Sequence, residues 1–282
     1  AAFVALSIFS LNLTQASTAD YWTKADPSAF NQSGERLVFP EKFQALHLDL
    51  TAMRNALLLA PKEYSVNRLQ GIEVSLPMPD GSFKRFSVLE TEVMHPKLAA
   101  KYPLIKTYVA VGIDDQHSWV RMDVGYLGFH AMISTRNGFV FIDPVNNTEL
   151  ENYISYNKAD MPNAYDRHCE FKNNQTEEEH IQEALLMEQN KLGLKIHDTG
   201  DELRTYRLAL ACTGEYASTK GGTVPGALSG MVTSVNRVDG IYQVEVAVRM
   251  VLIANTDTLI FTNSSRDPYS NNNGATMLGQ NQ

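Results

Sequence analysis

Alternating apolar and polar positions dominate the first half of the chain and predict short strands separated by turns. The predicted strands cover residues 71–76, 83–89, 104–111, 118–124, 127–134 and 139–142. Asp80-Gly81 lies between the first two strands and Asn137-Gly138 between the last two, and both dipeptides are typical of tight hairpins. Helical spacing is confined to a short stretch at 46–59 and one turn at 96–103. The pattern predicts an antiparallel, β-rich domain over residues 20–145.

A different pattern begins at Leu203 and predicts strand, helix, strand. Alternate residues from Tyr206 to Cys212 share one face of a strand, and Pro225 suits the first turn of a helix. Apolar residues then recur at helical spacing from Leu228 to Tyr242. Residues Val244–Ile253 are apolar at nearly every position, which predicts a largely buried strand. This order of elements is typical of the start of an α/β domain.

Two segments lie outside these patterns because they are polar. Residues 146–202 are acidic, with a predicted helix at 178–191, and indicate a linker or covering arm between the two domains. Residues 263–282 are rich in Asn, Ser and Gly and predict a loop. That loop is either a flexible tail or the place where the chain stops inside a domain of 203–282.

The N-terminal residues resemble an export signal. Residues 2–13 form an apolar run that is too short to span a bilayer, which needs about 20 residues. Small residues follow it, as in the cleavage region of a secretory signal peptide. We interpret residues 1–19 as the remnant of a signal peptide, with a buried N-terminal helix as the alternative. The prediction is a secreted, extracellular protein without a stable membrane anchor.

Composition and charge exclude several classes of protein. The 282 residues include 24 Lys and Arg against 32 Asp and Glu, for a formal charge of −8. An acidic chain without a basic run is poorly suited to nucleic-acid backbones. The two cysteines, Cys169 and Cys212, are too few for a disulfide-dense scaffold or a four-cysteine zinc site.

Motifs of catalysis are absent from the sequence. None of the seven histidines belongs to H-E-x-x-H, and there is no G-x-S-x-G, Walker A or G-x-G-x-x-G motif. His130 lies in a predicted strand, where it fits a core or surface position better than a metal site. We therefore assign no catalytic and no metal-binding residue from the sequence.

Several pieces of the chain resemble one family in their order. In the second half they are LRTYRLALACTGEYA, then GALSGMVTSVNRVDGIYQVEVAVRMVLIANTDTLIF, then RDPYS. They resemble the opening of reprolysin-like (adamalysin-type) metzincin zinc metallopeptidases of the secreted bacterial group, whose V-N-x-V/I-N/D-x-I-Y segment is matched by Val235–Tyr242. In the first half LPMPDGSFKRFSVLETEVMHPKLAAKYPLIKTY, GFHAMIS and FIDP resemble the propeptide of the same proteins.

The resemblance implies a zymogen of α+β class, with an antiparallel β-rich prodomain followed by the beginning of a metzincin-like catalytic domain. The propeptide would pack on its own catalytic domain, keep the protease latent and assist its folding. In that family H-E-x-x-H-x-x-G-x-x-H holds zinc, and protein or peptide chains are the substrates. The motif does not occur in these 282 residues. The fragment is therefore expected to be inactive alone, with zinc ligands only in a full-length parent. A structural calcium ion, found in some relatives, lacks an acidic ligand between Tyr206 and Cys212.

Cys169 is the candidate residue for latency. It lies between the two halves beside Arg167, where a thiolate from the prodomain could mask the zinc ion. Its surroundings do not match the switch peptide of the animal relatives. The alternative is a disulfide with Cys212, which export permits.

Two other functions compete with the protease precursor. One is a non-enzymatic, exported β-rich binding or adhesion module. The other is a free-standing protease inhibitor, which is disfavoured because the predicted strand, helix and strand after Leu203 would leave an open sheet edge.

Overall fold

A large antiparallel sheet and a small strand-helix-strand unit make up the computed structural model, which describes residues 21–31, 36–162, 202–271 and 273–281. The strands of the large sheet are β1 (Trp22–Lys24), β2 (Gln44–Leu48), β3 (Ile72–Pro77), β4 (Phe83–Thr91), β5 (Lys106–Gly112), β6 (Trp119–Gly125), β7 (Gly128–Thr135), β8 (Gly138–Pro144) and β9 (Asn152–Asn157). Their order is β1-β2-β9-β8-β7-β6-β5-β4-β3, and every neighbouring pair is antiparallel. Strands β3 to β9 thus form one continuous meander.

The turns of the meander form where the sequence predicts them. Gly81 (φ +82°) and Gly138 (φ +110°) adopt backbone angles that L side chains rarely reach, which is why glycine follows Asp80 and Asn137. The sheet is strongly curved, since the Ser155 hydroxyl of β9 donates to the Pro77 carbonyl oxygen of β3 over 2.9 Å.

Two short helices accompany this sheet: α1 (Leu50–Leu57) and α2 (Pro96–Lys101). The Asp49 carboxylate caps α1 by accepting from the Ala52 amide. Met53 and Leu57 of α1 are buried in the main hydrophobic core with side chains from the sheet. Leu98 of α2 is equally buried, but in a different cluster.

The C-terminal unit contains β10 (Arg204–Leu208), α3 (Gly214–Thr219), α4 (Val224–Val246), β11 (Val248–Leu252) and α5 (Gly274–Gln280). Strands β10 and β11 are parallel, with Arg204 opposite Val248 and Leu208 opposite Leu252, and α4 connects them. The Thr223 hydroxyl caps α4 by accepting from the Gly226 amide, and Pro225 lies in the first turn, as predicted. The mixed α+β class is thus confirmed, and the order strand, helix, strand is consistent with the start of a metzincin-like domain.

Several boundaries differ from the sequence prediction. Strand β10 ends at Leu208 and not at Cys212, because Leu208 is the last residue that pairs with β11. Helix α4 continues to Val246, so Val244 is a helical residue, 66% exposed, and the buried strand predicted from residue 244 starts only at 248. Residues 46–48 belong to a strand because they pair with β9, and only residues 50–57 are helical. The predicted C-terminal loop contains α5.

A further difference concerns the segment predicted as an acidic linker. Its residues 152–157 form β9, because Tyr153 and Ile154 are completely buried and pair with β8 and β2. The sheet therefore extends beyond residue 145. The predicted helix at 178–191 lies outside the described residues, as do residues 1–19, and the division into domains stays a prediction.

The large sheet and the C-terminal unit share a hydrophobic cluster. Val93, Met94, Leu98 and Ile105 pack with Leu228, Met231, Val232 and Leu252. Backbone pairing reinforces this contact, because the Leu252 amide donates to the Val93 carbonyl oxygen over 2.8 Å and the His95 amide donates to Leu252 over 2.9 Å. None of the helices in the described part of the chain is both long and apolar enough to cross a bilayer.

Candidate functional site

Of the two cysteines that the sequence singles out, the structure describes only Cys212. Cys169 lies outside the described residues, so its masking of zinc stays a prediction. Cys212 is buried, and burial raises the pKa of its thiol above the ordinary value. Within residues 21–31, 36–162, 202–271 and 273–281, no three His, Cys, Asp or Glu side chains are placed to hold a metal ion. These residues therefore do not fit zinc or calcium.

Helix α4 instead brings polar side chains against the face of β6, β7 and β8. Two stripes run along this helix, offset by one residue or about 100°. One stripe is apolar and faces the shared cluster: Leu228, Met231, Val232 and Val235. The other is polar, faces the large sheet, and contains Ser229, Thr233, Asn236, Arg237 and Gly240.

The ion pair between Arg237 of α4 and Asp143 of β8 is the shortest link across this contact. The Arg237 Nη2 atom lies 2.5 Å from Asp143 Oδ1, and the Tyr156 hydroxyl donates to Asp143 Oδ2 over 2.8 Å. Burial by itself raises the pKa of Asp143, but the Arg237 charge, the neighbouring His130 and these two hydrogen bonds hold it below the ordinary value. The carboxylate is thus stabilised in its charged form.

A second ion pair joins Arg121 of β6 to Asp239 of α4, and here the pKa of the carboxyl group shifts in the opposite direction. Its atoms Nη1 and Oδ2 are 3.3 Å apart, and both side chains are almost completely buried. Burial raises the pKa of Asp239, although the Met250 amide donates to its Oδ1 over 2.7 Å and Arg121 lies beside it. Burial likewise lowers the pKa of Arg121. Desolvation therefore opposes the charged forms of this pair.

Uncharged hydrogen-bond donors complete the contact. The Thr233 hydroxyl donates to Asp123 Oδ2 over 2.6 Å, and the Asn236 amide donates to the Met122 carbonyl oxygen over 3.0 Å. His130 lies beside them, with its Nδ1 atom 3.5 Å from Asp123 Oδ2. Asp123, Thr233 and Asn236 are all buried, so this is a desolvated polar network rather than a solvated edge.

The local sequence pattern does not show that the residues of this network are buried. Arg121 and Asp123 alternate with apolar residues along β6, which by itself suggests a solvated face. Asn236, Arg237 and Asp239 interrupt an otherwise apolar helix in the same way. The charges are buried because the two surfaces cover each other, and that contact joins residues more than 100 positions apart.

Comparison with known protein families agrees with the sequence prediction for the C-terminal unit. Residues 202–282 match the family described as metallo-peptidase family M12B, reprolysin-like. The match confirms the resemblance predicted for the segment from Leu203 onward and supports the start of a metallopeptidase domain. No curated protein matches the chain.

Proposed function

We propose that the chain is part of the precursor of a secreted zinc endopeptidase. Residues 203–282 begin its catalytic domain, and the large sheet is a propeptide that assists folding of this domain and keeps it latent. Protein or peptide chains are the substrates. The match of residues 202–282 to the reprolysin-like family supports the protease, and the cluster shared by the two units supports the propeptide.

The shared cluster carries the argument for assisted folding. Leu98 and Ile105 of the N-terminal half are buried against Leu228 and Met231 of α4. Without them, the C-terminal unit would expose to water the apolar surface that they now cover. The free-energy cost of this exposure is roughly proportional to that area. The N-terminal half also pairs with one edge of β11 through Val93 and His95, which protects an edge strand from non-native pairing. A propeptide that supplies both core and edge would stabilise the unit while it folds.

The zinc ligands are not among the described residues, and in this proposal they lie C-terminal to Gln282. Protein made from a coding region that includes those residues should cleave a protein substrate. A zinc chelator should abolish this activity and added zinc should restore it. Activity should rise when the N-terminal half is removed, with the new N-terminus identified by mass spectrometry. Absence of chelator-sensitive cleavage would contradict the protease and favour an exported binding module.

Replacement of Cys169 tests the basis of latency in the same protein. If its thiol maintains latency, Cys169→Ser should give activity before the N-terminal half is removed. Cys212→Ser is the matched control, because a disulfide between the two cysteines predicts the same phenotype for both variants. Unchanged latency in both variants would mean that neither thiol is required, and that packing of the two units suffices.

A further inference from the structure

We infer that the polar stripe of α4, defined by Ser229, Thr233, Asn236, Arg237 and Gly240, is a separable docking surface for the β6–β8 face of this same chain. This inference deepens the proposed function and rests on it, since a propeptide must hold its enzyme and later leave it. The observation that carries it is a buried polar network between the two units, placed beside the hydrophobic cluster that they share.

The chemistry of the stripe suits a contact that opens. Thr233, Asn236 and Arg237 each hydrogen-bond across the contact, and each can hydrogen-bond to water once the surfaces part. Interfaces between units that separate are more polar than permanent ones. The apolar stripe, from Leu228 to Val235, faces the cluster that α4 shares with β11 and with α2 of the N-terminal half, so this cluster also has to open when the two units separate.

Charge complementarity fixes the register of the docked helix. Arg237 of α4 meets Asp143 of the sheet, and Asp239 of α4 meets Arg121, so the signs are reversed between the two pairs. Sliding α4 by one turn would move Thr233 to the place of Arg237 and leave the Asp143 charge buried without its partner. Only one docked position therefore satisfies both pairs.

Close backbone approach is the second device that makes this contact specific. A Cβ atom on Gly240 of α4 would lie 2.6 Å from Arg121 Cγ and 3.0 Å from Trp119 Cζ3. A Cβ atom on Gly125 of β6 would lie 2.1 Å from the Ser229 hydroxyl oxygen. Glycine weakens a helix interior relative to alanine, so Gly240 is explained by the contact and not by the helix.

Gly240→Ala in the full chain separates docking from helix stability. Alanine favours the helix but clashes with Arg121, so the contact should weaken while the helix itself does not. Amide hydrogen exchange, followed by mass spectrometry, should accelerate in α4 and β11 by about tenfold or more, because an overpacked contact opens more often. Exchange in β3–β5 should stay as in the parent chain. Gly279→Ala in α5 is the matched control, since no atom lies within 4 Å of the added methyl group.

Two results would overturn the inference. Unchanged or slower exchange in α4 of Gly240→Ala would mean that the contact does not depend on close approach. Equal acceleration in α4 and in β3–β5 would mean that the two units form one inseparable core.

Thr233→Val provides an independent test that preserves side-chain shape. It removes only the hydroxyl that donates to Asp123, and it should accelerate exchange in α4 and β11 by a factor of about three to ten without affecting β3–β5. The same two results as above would overturn the inference. Neither measurement depends on proteolysis. If both variants behave as predicted but the full-length parent has no peptidase activity, the proposed function is refuted and the docking surface is not.

Discussion

The two larger hydrophobic clusters of the described chain differ in where their residues come from. The cluster inside the large sheet is built entirely from the N-terminal half, between Trp22 and Tyr153. The cluster of the C-terminal unit needs Val93, Met94, Leu98 and Ile105 from that same half. The N-terminal half therefore supplies a complete core of its own, whereas the strand-helix-strand unit depends on a neighbour for part of its core.

Within the strands and helices, the exposure of large apolar side chains follows the same division. Tyr206 of β10 is 54% exposed and Val244 of α4 is 66% exposed, whereas Val120 and Met122 of β6 are completely buried. The C-terminal unit exposes apolar side chains to water on one side and depends on the N-terminal half for contacts on the other. It therefore gains less free energy from burial than the large sheet does. The comparison predicts that the C-terminal unit opens at lower free energy than the sheet.

The largest effect should come from shortening one leucine in each cluster. Leu98→Ala and Leu57→Ala both remove a fully buried side chain from a short helix, and each should lower the free energy of unfolding by about 2 to 5 kcal/mol. Leu98→Ala should first release α4 and β11, because its cavity lies in the shared cluster. Leu57→Ala should instead destabilise the sheet itself.

Hydrogen exchange resolved by region distinguishes the two leucine variants. Identical exchange patterns in both would contradict the division into a self-contained and a dependent core.

An intermediate effect is expected from Asp143→Asn, and it should depend on pH. At neutral pH the variant loses the charge that Arg237 faces, which should destabilise the contact by about 1.5 to 3 kcal/mol. The folded state lowers the pKa of Asp143, so its contribution is present above the ordinary value of 3.8 and is lost as the pH falls through 3.8 and below.

Denaturant titrations of parent and variant from pH 7 to pH 3 test this sign. The difference in stability between them should shrink on acidification. A difference that stays constant or grows would mean that the Asp143 charge does not stabilise the folded state.

The smallest effect should come from the exposed side of α4. Val244→Ser changes a side chain that is 66% exposed, and unfolding free energy should change by no more than about 0.5 kcal/mol. Thermal or denaturant unfolding of the variant and the parent chain measures this difference. A loss above about 2 kcal/mol would show that this surface is covered in solution, contrary to the comparison.

Local patterns predicted much of the fold. Strands β3 to β8 followed from alternation and from the turn dipeptides Asp80-Gly81 and Asn137-Gly138, because hairpin formation depends on neighbouring residues. The end of α4 was placed too early, because the apolar run from Val244 to Ile253 continues across the junction of helix and strand. Tyr153 and Ile154 of β9 were missed because their polar surroundings suggested a linker.

The polar contact beneath α4 could not be predicted from local patterns. Arg121, Asp123 and Asp143 each have the appearance of solvated residues in their own strands, and their burial depends on a helix about 100 residues away. Only the spatial arrangement shows that opposite charges meet. The family resemblance of the segment after Leu203, in contrast, was visible from the order of its residues and is confirmed by the match to residues 202–282.

A double-mutant cycle on Arg237 and Asp143 tests most directly whether the sheet holds α4. Unfolding free energies of Arg237→Gln, Asp143→Asn and the double variant would be measured at neutral pH and compared with the parent chain. Because the two side chains meet at 2.5 Å across a desolvated contact, we predict a coupling of about 1 to 3 kcal/mol. Additive effects, with a coupling below about 0.5 kcal/mol, would contradict a helix held on the sheet by this pair.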